Sequence, residues 1–349
     1  MPAQRLTPAQ LQEAVDSVDQ HGSLGQAARA LGMPEATLQA RHRRAVDEGY
    51  APMPSAAFEV PPLPDELPSA DELLRRREQE FERRKAAKDA RKLIDVAVRL
   101  DGPVGIAILG DPHVDDPGTD IKLLREHVTL FQKHDALLPI GIGDYQNNWL
   151  GRLSHLWGEQ STSAAEALVL VEWLVSSTRW LALVGGNHDA WSGAGDPLQW
   201  MARSARAVYE AHGVRLGLTL PGGQQLRVNA RHNFSGNSMW NPAHGVGRAA
   251  QMGFGGDHVL VAGHTHTSGI MVLRDHQSGR ISHALRIGSY KTYDRYAEEK
   301  GFQNNTFMVC PVVVVRPRFS DDDNRFLTTF FEPGTAAEFL QWLRRRKSE

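Results

Sequence analysis

Five short apolar runs, each breaking off into a polar cluster, constrain this 349-residue chain more than any other feature: VGIAILGD (104–111), ALLPIGIGD (136–144), WLALVGGNH (180–188), LRVNARH (226–232) and HVLVAGHTH (258–266). Runs of that length, bounded by glycine and polar residues, read as strands. Helical patterns such as SAAEALVLVEWLVSST (163–178) fall between several of them. The alternation predicts an α/β layered fold. Ligands of open α/β sheets collect beyond the carboxyl ends of the strands, so the five polar clusters are expected to converge on one site.

Each cluster holds residue types that bind cations. In GDPHVDD, Asp111 and His113 are two residues apart, and where a chain is extended that spacing puts both on one side. Pro112 biases Asp111 towards extended geometry. Asp144 in GDYQNN has two oxygens that can bridge a pair of ions. GGNHDAW offers the neutral amide oxygen of Asn187, with Gly185 and Gly186 permitting close backbone approach. His232 ends the fourth run, with His244 in NPAHG as a competitor, and His264 and His266 repeat the two-residue spacing. Singly such pairs are common, and most histidines do no chemistry; five in succession, each closing an apolar run, form a constellation.

The remainder of the chain is read as three further segments. Residues 1–50 are predicted helical: Thr7 and Pro8 open one helix, and SLGQAARALGMPEATLQARHRRAVDEG has the outline of a helix-turn-helix. Its second helix would offer Thr37, Gln39, Arg41, Arg43 and Arg44 to a DNA groove. Five arginines stand against six acidic residues in this segment, a weak footprint for a DNA reader, so a helical hairpin for self-association or partner docking is an equal reading. Residues 51–68, with six prolines, describe an extended linker, and residues 69–93 a charged, mostly solvated helix capped by Ser69 and Glu72. Residues 94–349 are expected to form the main domain, closed by an amphipathic helix at GTAAEFLQWLRRRK. No apolar run is long enough to span a bilayer and the first residues lack a signal-peptide core, so a cytoplasmic protein with no membrane partner is expected. The one cysteine, Cys310, excludes an internal disulfide and reads as a buried, inert thiol. A formal net charge of −2 confines any attraction for nucleic acid to a local patch.

Across roughly residues 100–290 the blocks DPH, GD, GNHD, H and GHTH resemble the D-x-H, G-D, G-N-H-D/E, H and G-H-x-H pattern of the calcineurin-like metallophosphoesterases. A helix-turn-helix-like segment beside such a domain resembles phage or prophage-type members. The resemblance implies a layered αββα sandwich with two mixed β-sheets. It assigns Asp111, His113 and His266 to one divalent metal ion, Asn187, His232 and His264 to a second, and Asp144 to both. It further implies hydrolysis of phosphate esters by a hydroxide held between the ions, with His188 donating a proton to the leaving oxygen and Asp189 orienting that imidazole. Mixed nitrogen and oxygen ligands point to Mn²⁺, Fe or Zn²⁺ rather than Ca²⁺ without selecting among the three, and Mn²⁺ is taken as the leading expectation. Asn147 is expected to brace the second block, while Asp115 and Asp116 are given no role beyond solvated loop carboxylates.

For substrate, Trp149, Trp191 and Trp240 each follow a cluster closely and could stack bases, or equally pack in the core, while His244 and Lys291 could meet phosphate. A phosphodiesterase acting on DNA is the leading expectation. A phosphomonoesterase or small-nucleotide phosphodiesterase is the alternative within the class. Outside it stands a DNA-binding or regulatory protein that uses the phosphoesterase fold as a scaffold.

Overall fold

A computed structural model describes residues 6–53, 66–189, 195–238, 240–253, 256–293, 298, 301 and 306–346. The chain divides into two compact units, Met1–Arg76 and Arg77–Glu349.

The first unit holds α1 (Pro8–His21), α2 (Leu24–Ala30) and α3 (Glu35–Asp47). Thr7 and Gln10 form a reciprocal capping box on α1, and Gly22 ends it at φ 68°. Ser23 caps α2, whose exit runs through Gly32 at φ 62° before Pro34 opens α3. Leu11, Ala14, Val15, Ala27, Ala28, Leu38 and Ala45 make the small core. Thr37, Gln39, Arg43 and Arg44 are exposed and Arg41 is half-buried; Arg44 pairs with Glu48 at 2.7 Å. The prolines at 54, 61, 62 and 64 of the expected linker lie outside the described residues.

Helix α4 (Ala70–Ala90) runs across the division between the units and buries none of its residues. Pairs such as Arg77–Glu80 (2.9 Å) and Arg84–Glu80 (2.6 Å) lace its surface.

The second unit is built from two six-stranded sheets. The first contains β1 (Ile94–Ala97), β6 (Gly213–Thr219), β7 (Gln225–Arg231), β8 (Val259–Ala262), β10 (Ile281–Arg286) and β9 (Gly269–Arg274), in that spatial order. The second contains β12 (Leu327–Phe330), β11 (Val312–Val315), β2 (Val104–Leu109), β3 (Leu137–Gly141), β4 (Ala182–Val184) and β5 (Val208–Glu210). Both are mixed: β2 to β5 are mutually parallel, β11 is antiparallel to β2 and β12 antiparallel to β11, and β7, β8 and β10 are parallel between antiparallel neighbours.

Strand β2 is buried along its whole length because each face meets a different apolar layer. Val104, Ile106 and Ile108 join Val214, Leu216, Val228, Val259 and Val261 of the other sheet in the inter-sheet core. Ala107 and Leu109 face outwards to α5 (Ile121–Lys133), α6 (Ala164–Ser176), α7 (Pro197–Ser204) and α9 (Pro333–Arg345), through Leu124, Val128, Val171, Leu198 and Leu340. On the outer side of the first sheet, α8 (His244–Met252) packs Val246 on Leu260, Ala262 and Ala284. The layering is therefore αββα, as expected. No described helix is long and apolar enough to cross a membrane. Cys310 is fully buried just before β11 rather than inside a strand, and burial pushes its thiol up to about 12.

Candidate metal centre

The carboxyl ends of β2, β3, β4, β7 and β8 bring the five clusters together. Asp111, His113, Asp144 and His232 are buried and make a floor, while Asn187 and His264 are exposed and His188 and His266 half-buried, making an open rim.

The donor atoms fall into two groups about one oxygen. His232 Nε2 lies 3.2 Å from Asp144 Oδ2, 2.9 Å from Asn187 Oδ1 and 3.1 Å from His264 Nδ1. On the other side His113 Nε2 lies 4.0 Å from the same Asp144 Oδ2 and 3.2 Å from His266 Nε2, which is 3.5 Å from Asp111 Oδ2. Ligands held about 2.1 Å from one ion stand about 3.0 to 3.4 Å from one another in octahedral or tetrahedral geometry, which is the spacing of most of these pairs. His113, Asp144 and His266, and likewise Asp144, His232 and His264, could each hold a metal ion.

Two features fit a cation in each set. The imidazoles are turned nitrogen to nitrogen, an arrangement that a proton or a metal ion must reconcile, and Asp111 Oδ1 is buried with no hydrogen-bond partner. Electrostatics agree. Burial would raise Asp144, but the charge and hydrogen bond of His232, helped by His188 and His113, outweigh it and hold the carboxyl well below its usual range. For His232, burial opposes protonation, but Asp144 reverses the balance and lifts the imidazole to about 10. That pair thus holds a proton where a metal ion would replace it. His113 is driven well below its ordinary value by burial and then by His266, which keeps it neutral as a ligand must be.

The backbone pays for this convergence in strain. Six described non-glycine residues occupy the left-handed region, and four of them are the candidate ligands His113 (φ 38°), Asp144 (φ 52°), His264 (φ 72°) and His266 (φ 51°), at about 1 to 3 kcal/mol each. This corrects the extended-chain reading of the two-residue spacings. β2 and β8 end before the clusters begin, and Thr265 N–H bonds back to Gly263 O at 2.9 Å, so the histidines flank a tight turn and reach different groups. Glycines make room for it. A Cβ on Gly186 would stand 2.1 Å from Asp144 Oδ1, and one on Gly263 would stand 2.2 Å from Asp111 Oδ1.

Other expectations need correction. Asp189 does not serve the His188 ring: its Oδ2 accepts the N–H groups of Asp144 (2.8 Å) and Gly186 (2.7 Å), and its Oδ1 that of Tyr145 (3.0 Å). The carboxylate ties the second cluster to the third. His188 instead gives its Nδ1 proton to the Asn147 carbonyl, since a carbonyl can only accept, and its own N–H bonds Asp144 Oδ1 at 3.0 Å. Asp115 and Asp116 are not merely solvated. Asp115 is buried and accepts from Asn147 N (2.8 Å) and Gln160 Nε2 (2.7 Å), while Asp116 accepts from Asn147 Nδ2 (2.8 Å) and pairs with Lys291 Nζ (3.0 Å). Asn147 lies among these groups, its backbone N–H on Asp115 and its amide on Asp116 and Gln160.

Trp149 is buried edge-on to His188, with Lys291 Nζ 5.1 Å from its ring centroid, so neither is poised for a base or a phosphate. Trp240 is 93% exposed, Trp191 lies outside the described residues, and His244, exposed at the start of α8, belongs to neither donor set. His232 rather than His244 sits among the donors. Residues with no sequence signal also shape the site: Ser289 Oγ donates to Asp111 O at 2.6 Å, and Asn148 Nδ2 to His188 O at 2.9 Å.

No family model matches the sequence, and no curated protein does either. Among solved structures, the chain is similar to the calcineurin-like phosphoesterase YfkN from Bacillus subtilis at 12% identity and a TM-score of 0.35, over 70% of this chain and 99% of that one. It is also similar to Vps29 from Chaetomium thermophilum at 12% identity and a TM-score of 0.30, over 66% of this chain and 92% of that one. Overlaps of that size leave the functional reading to the side chains.

Proposed function

We propose that the chain is a metal-dependent phosphoesterase with a dinuclear centre, and that its substrates are phosphodiesters of nucleic acid. One observation supports this most: Asp144 Oδ2 and six further donor residues, drawn together from five strand ends, form two sets near metal-ligand spacing. Asp111, His113 and His266 would hold one ion, Asn187, His232 and His264 the other, with Asp144 shared. Four nitrogens and three oxygens suit Mn²⁺, Fe or Zn²⁺ better than Ca²⁺. Two such ions, when bound, would supply a water of near-neutral pKa as nucleophile and offset charge on the phosphoryl oxygens.

The protein's own groups do the rest. Two carboxylates, with the neutral Asn187 in place of a third, would leave two dications a net positive charge that favours a phosphoryl group gaining negative charge. His188 projects from the open rim with Nδ1 committed to the Asn147 carbonyl, which frees Nε2 to carry a proton to the leaving oxygen. For a diester the support is the exposed Trp240 ring, a stacking surface for a base, and the solvent-facing Thr37, Gln39, Arg43 and Arg44 of the small unit.

The test is hydrolysis of bis-p-nitrophenyl phosphate by protein stripped of metal and by the same protein reloaded with Mn²⁺. Equal rates would remove the reading. A panel of single-stranded DNA, duplex DNA, nucleotides and p-nitrophenyl phosphate then separates a nuclease from a small-nucleotide phosphodiesterase or a monoesterase.

A further inference from the structure

Arg286, the last residue of β10, is a buried cation on which the charge of Asp111 acts but which hydrogen-bonds to no carboxylate among the described residues. It is 1% exposed, forms no ion pair among the described residues, and leaves its Nε without a hydrogen-bond partner. A buried guanidinium in that state is unfavourable, and an apolar side chain of similar length would ordinarily serve packing better. Both of its contacts lie on ligand-bearing segments. Nη1 donates to Gly263 O at 2.5 Å and to Asn233 Oδ1 at 3.0 Å. Gly263 precedes His264, and Asn233 follows His232. Gly263 N–H also bonds His232 O at 3.1 Å, so the two segments are joined twice, once through the backbone and once through the guanidinium.

The register of β10 explains the placement. Arg286 pairs with Ala262 of β8 on one side and Gly269 of β9 on the other, which sets its side chain beneath the turn that carries His264 and His266. We propose that Arg286 is a positioning residue for one half of the centre: it fixes His232 Nε2 and His264 Nδ1 at the separation that, with Asn187, receives the second ion. The other half takes His113 and Asp111 from the end of β2, to which Arg286 makes no hydrogen bond among the described residues; it reaches that half only through its charge on Asp111 and through His266 further along the same turn. This rests on the dinuclear reading above and assigns unequal support to its two sites.

The experiment is a Mn²⁺ titration of metal-free protein by equilibrium dialysis, with electron paramagnetic resonance to distinguish a coupled pair of ions from a single one. Wild type should take two equivalents and give the coupled spectrum. Arg286→Met should bind the first equivalent within about 2-fold of wild type and the second about 10- to 100-fold more weakly, leaving the spectrum of isolated Mn²⁺. Its metal-free form should melt at or above the wild-type temperature, because the substitution removes a buried charge that no carboxylate hydrogen-bonds. Asn233→Ala keeps the charge and removes one anchor, so it should weaken the second equivalent by less; it carries the test alone if the methionine variant does not fold. Two unchanged equivalents in the variants overturn the proposal and leave the dinuclear reading standing. So does parallel weakening of both equivalents with a lower metal-free melting temperature, the mark of a merely structural residue. Failure of wild type to bind Mn²⁺ overturns both.

Discussion

Asp189→Asn separates two jobs that a carboxylate beside His188 could have. In the structure its oxygens receive three backbone N–H groups, from Asp144, Gly186 and Tyr145, at 2.7 to 3.0 Å. An asparagine has one acceptor oxygen. Placed at the Oδ2 position it keeps the Asp144 and Gly186 bonds as neutral ones, about half as strong, and it turns an NH₂ towards the Tyr145 N–H, leaving that buried donor unpaired. An unmet buried donor costs about 1 to 3 kcal/mol, and the two weakened bonds bring the total to about 3 kcal/mol. For a unit of this size that is a fall in melting temperature on the order of 10 °C. Asp144 sits at φ 52° and is held there partly through its N–H, so affinity for Mn²⁺ should fall about 10- to 100-fold. Differential scanning fluorimetry and a Mn²⁺ titration read the two effects. A variant that melts like wild type, binds Mn²⁺ normally and shows only a displaced acid limb in kcat would mean that Asp189 acts on the His188 imidazole after all, and the brace would be refuted.

Three further outcomes are expected. His188→Asn should bind Mn²⁺ as wild type does but lose about 10²- to 10³-fold in kcat, with a greater loss on an alkyl ester than on bis-p-nitrophenyl phosphate, whose leaving group needs no proton; equal losses would deny it the proton. Trp240→Ala should raise KM for single-stranded DNA about 10-fold and leave bis-p-nitrophenyl phosphate turnover unchanged, and unchanged KM values on both would show that the exposed ring meets no base. Burial first of all holds His127, His258 and His283 down to about 4, below the value near 6.5 expected unfolded, so the unfolded chain takes up more protons between those limits. Stability should therefore be complete above pH 6.5 and decline as pH falls towards 4, by about 2 kcal/mol per histidine at pH 5; urea titrations at pH 7.5 and 5 check this, and a His283→Gln variant should lose less between them.

What could be read from the sequence follows from what spacing encodes. A strand that ends in glycine and then a polar cluster is a local pattern, so the ends at Asp111, Asp144, Asn187, His232 and His264 were legible, and with them an α/β layered fold; the αββα arrangement came only from the family resemblance. How a side chain leaves a turn is also local, but it depends on φ, and nothing in D-P-H or G-H-T-H announces that His113, His264 and His266 take left-handed backbone. That geometry makes sense only once the fold has placed Gly263 against Asp111 and Gly186 against Asp144, leaving no room for the turns to open. The same limit hid the buried polar groups. Asp189 adjoins His188 in sequence yet is spent on amides 44 and 45 residues earlier, and Asp115 and Asp116 look like loop charges until Asn147 and Gln160 are brought to them. Arg286 is the extreme case: a lone arginine closing a strand has no signature, and its meaning comes from the register that sets it opposite Ala262 and Gly269. Residues that could bind metal are thus visible because the chemistry restricts their types, whereas residues that hold them still are of any type that reaches, and only non-local pairing determines which ones do.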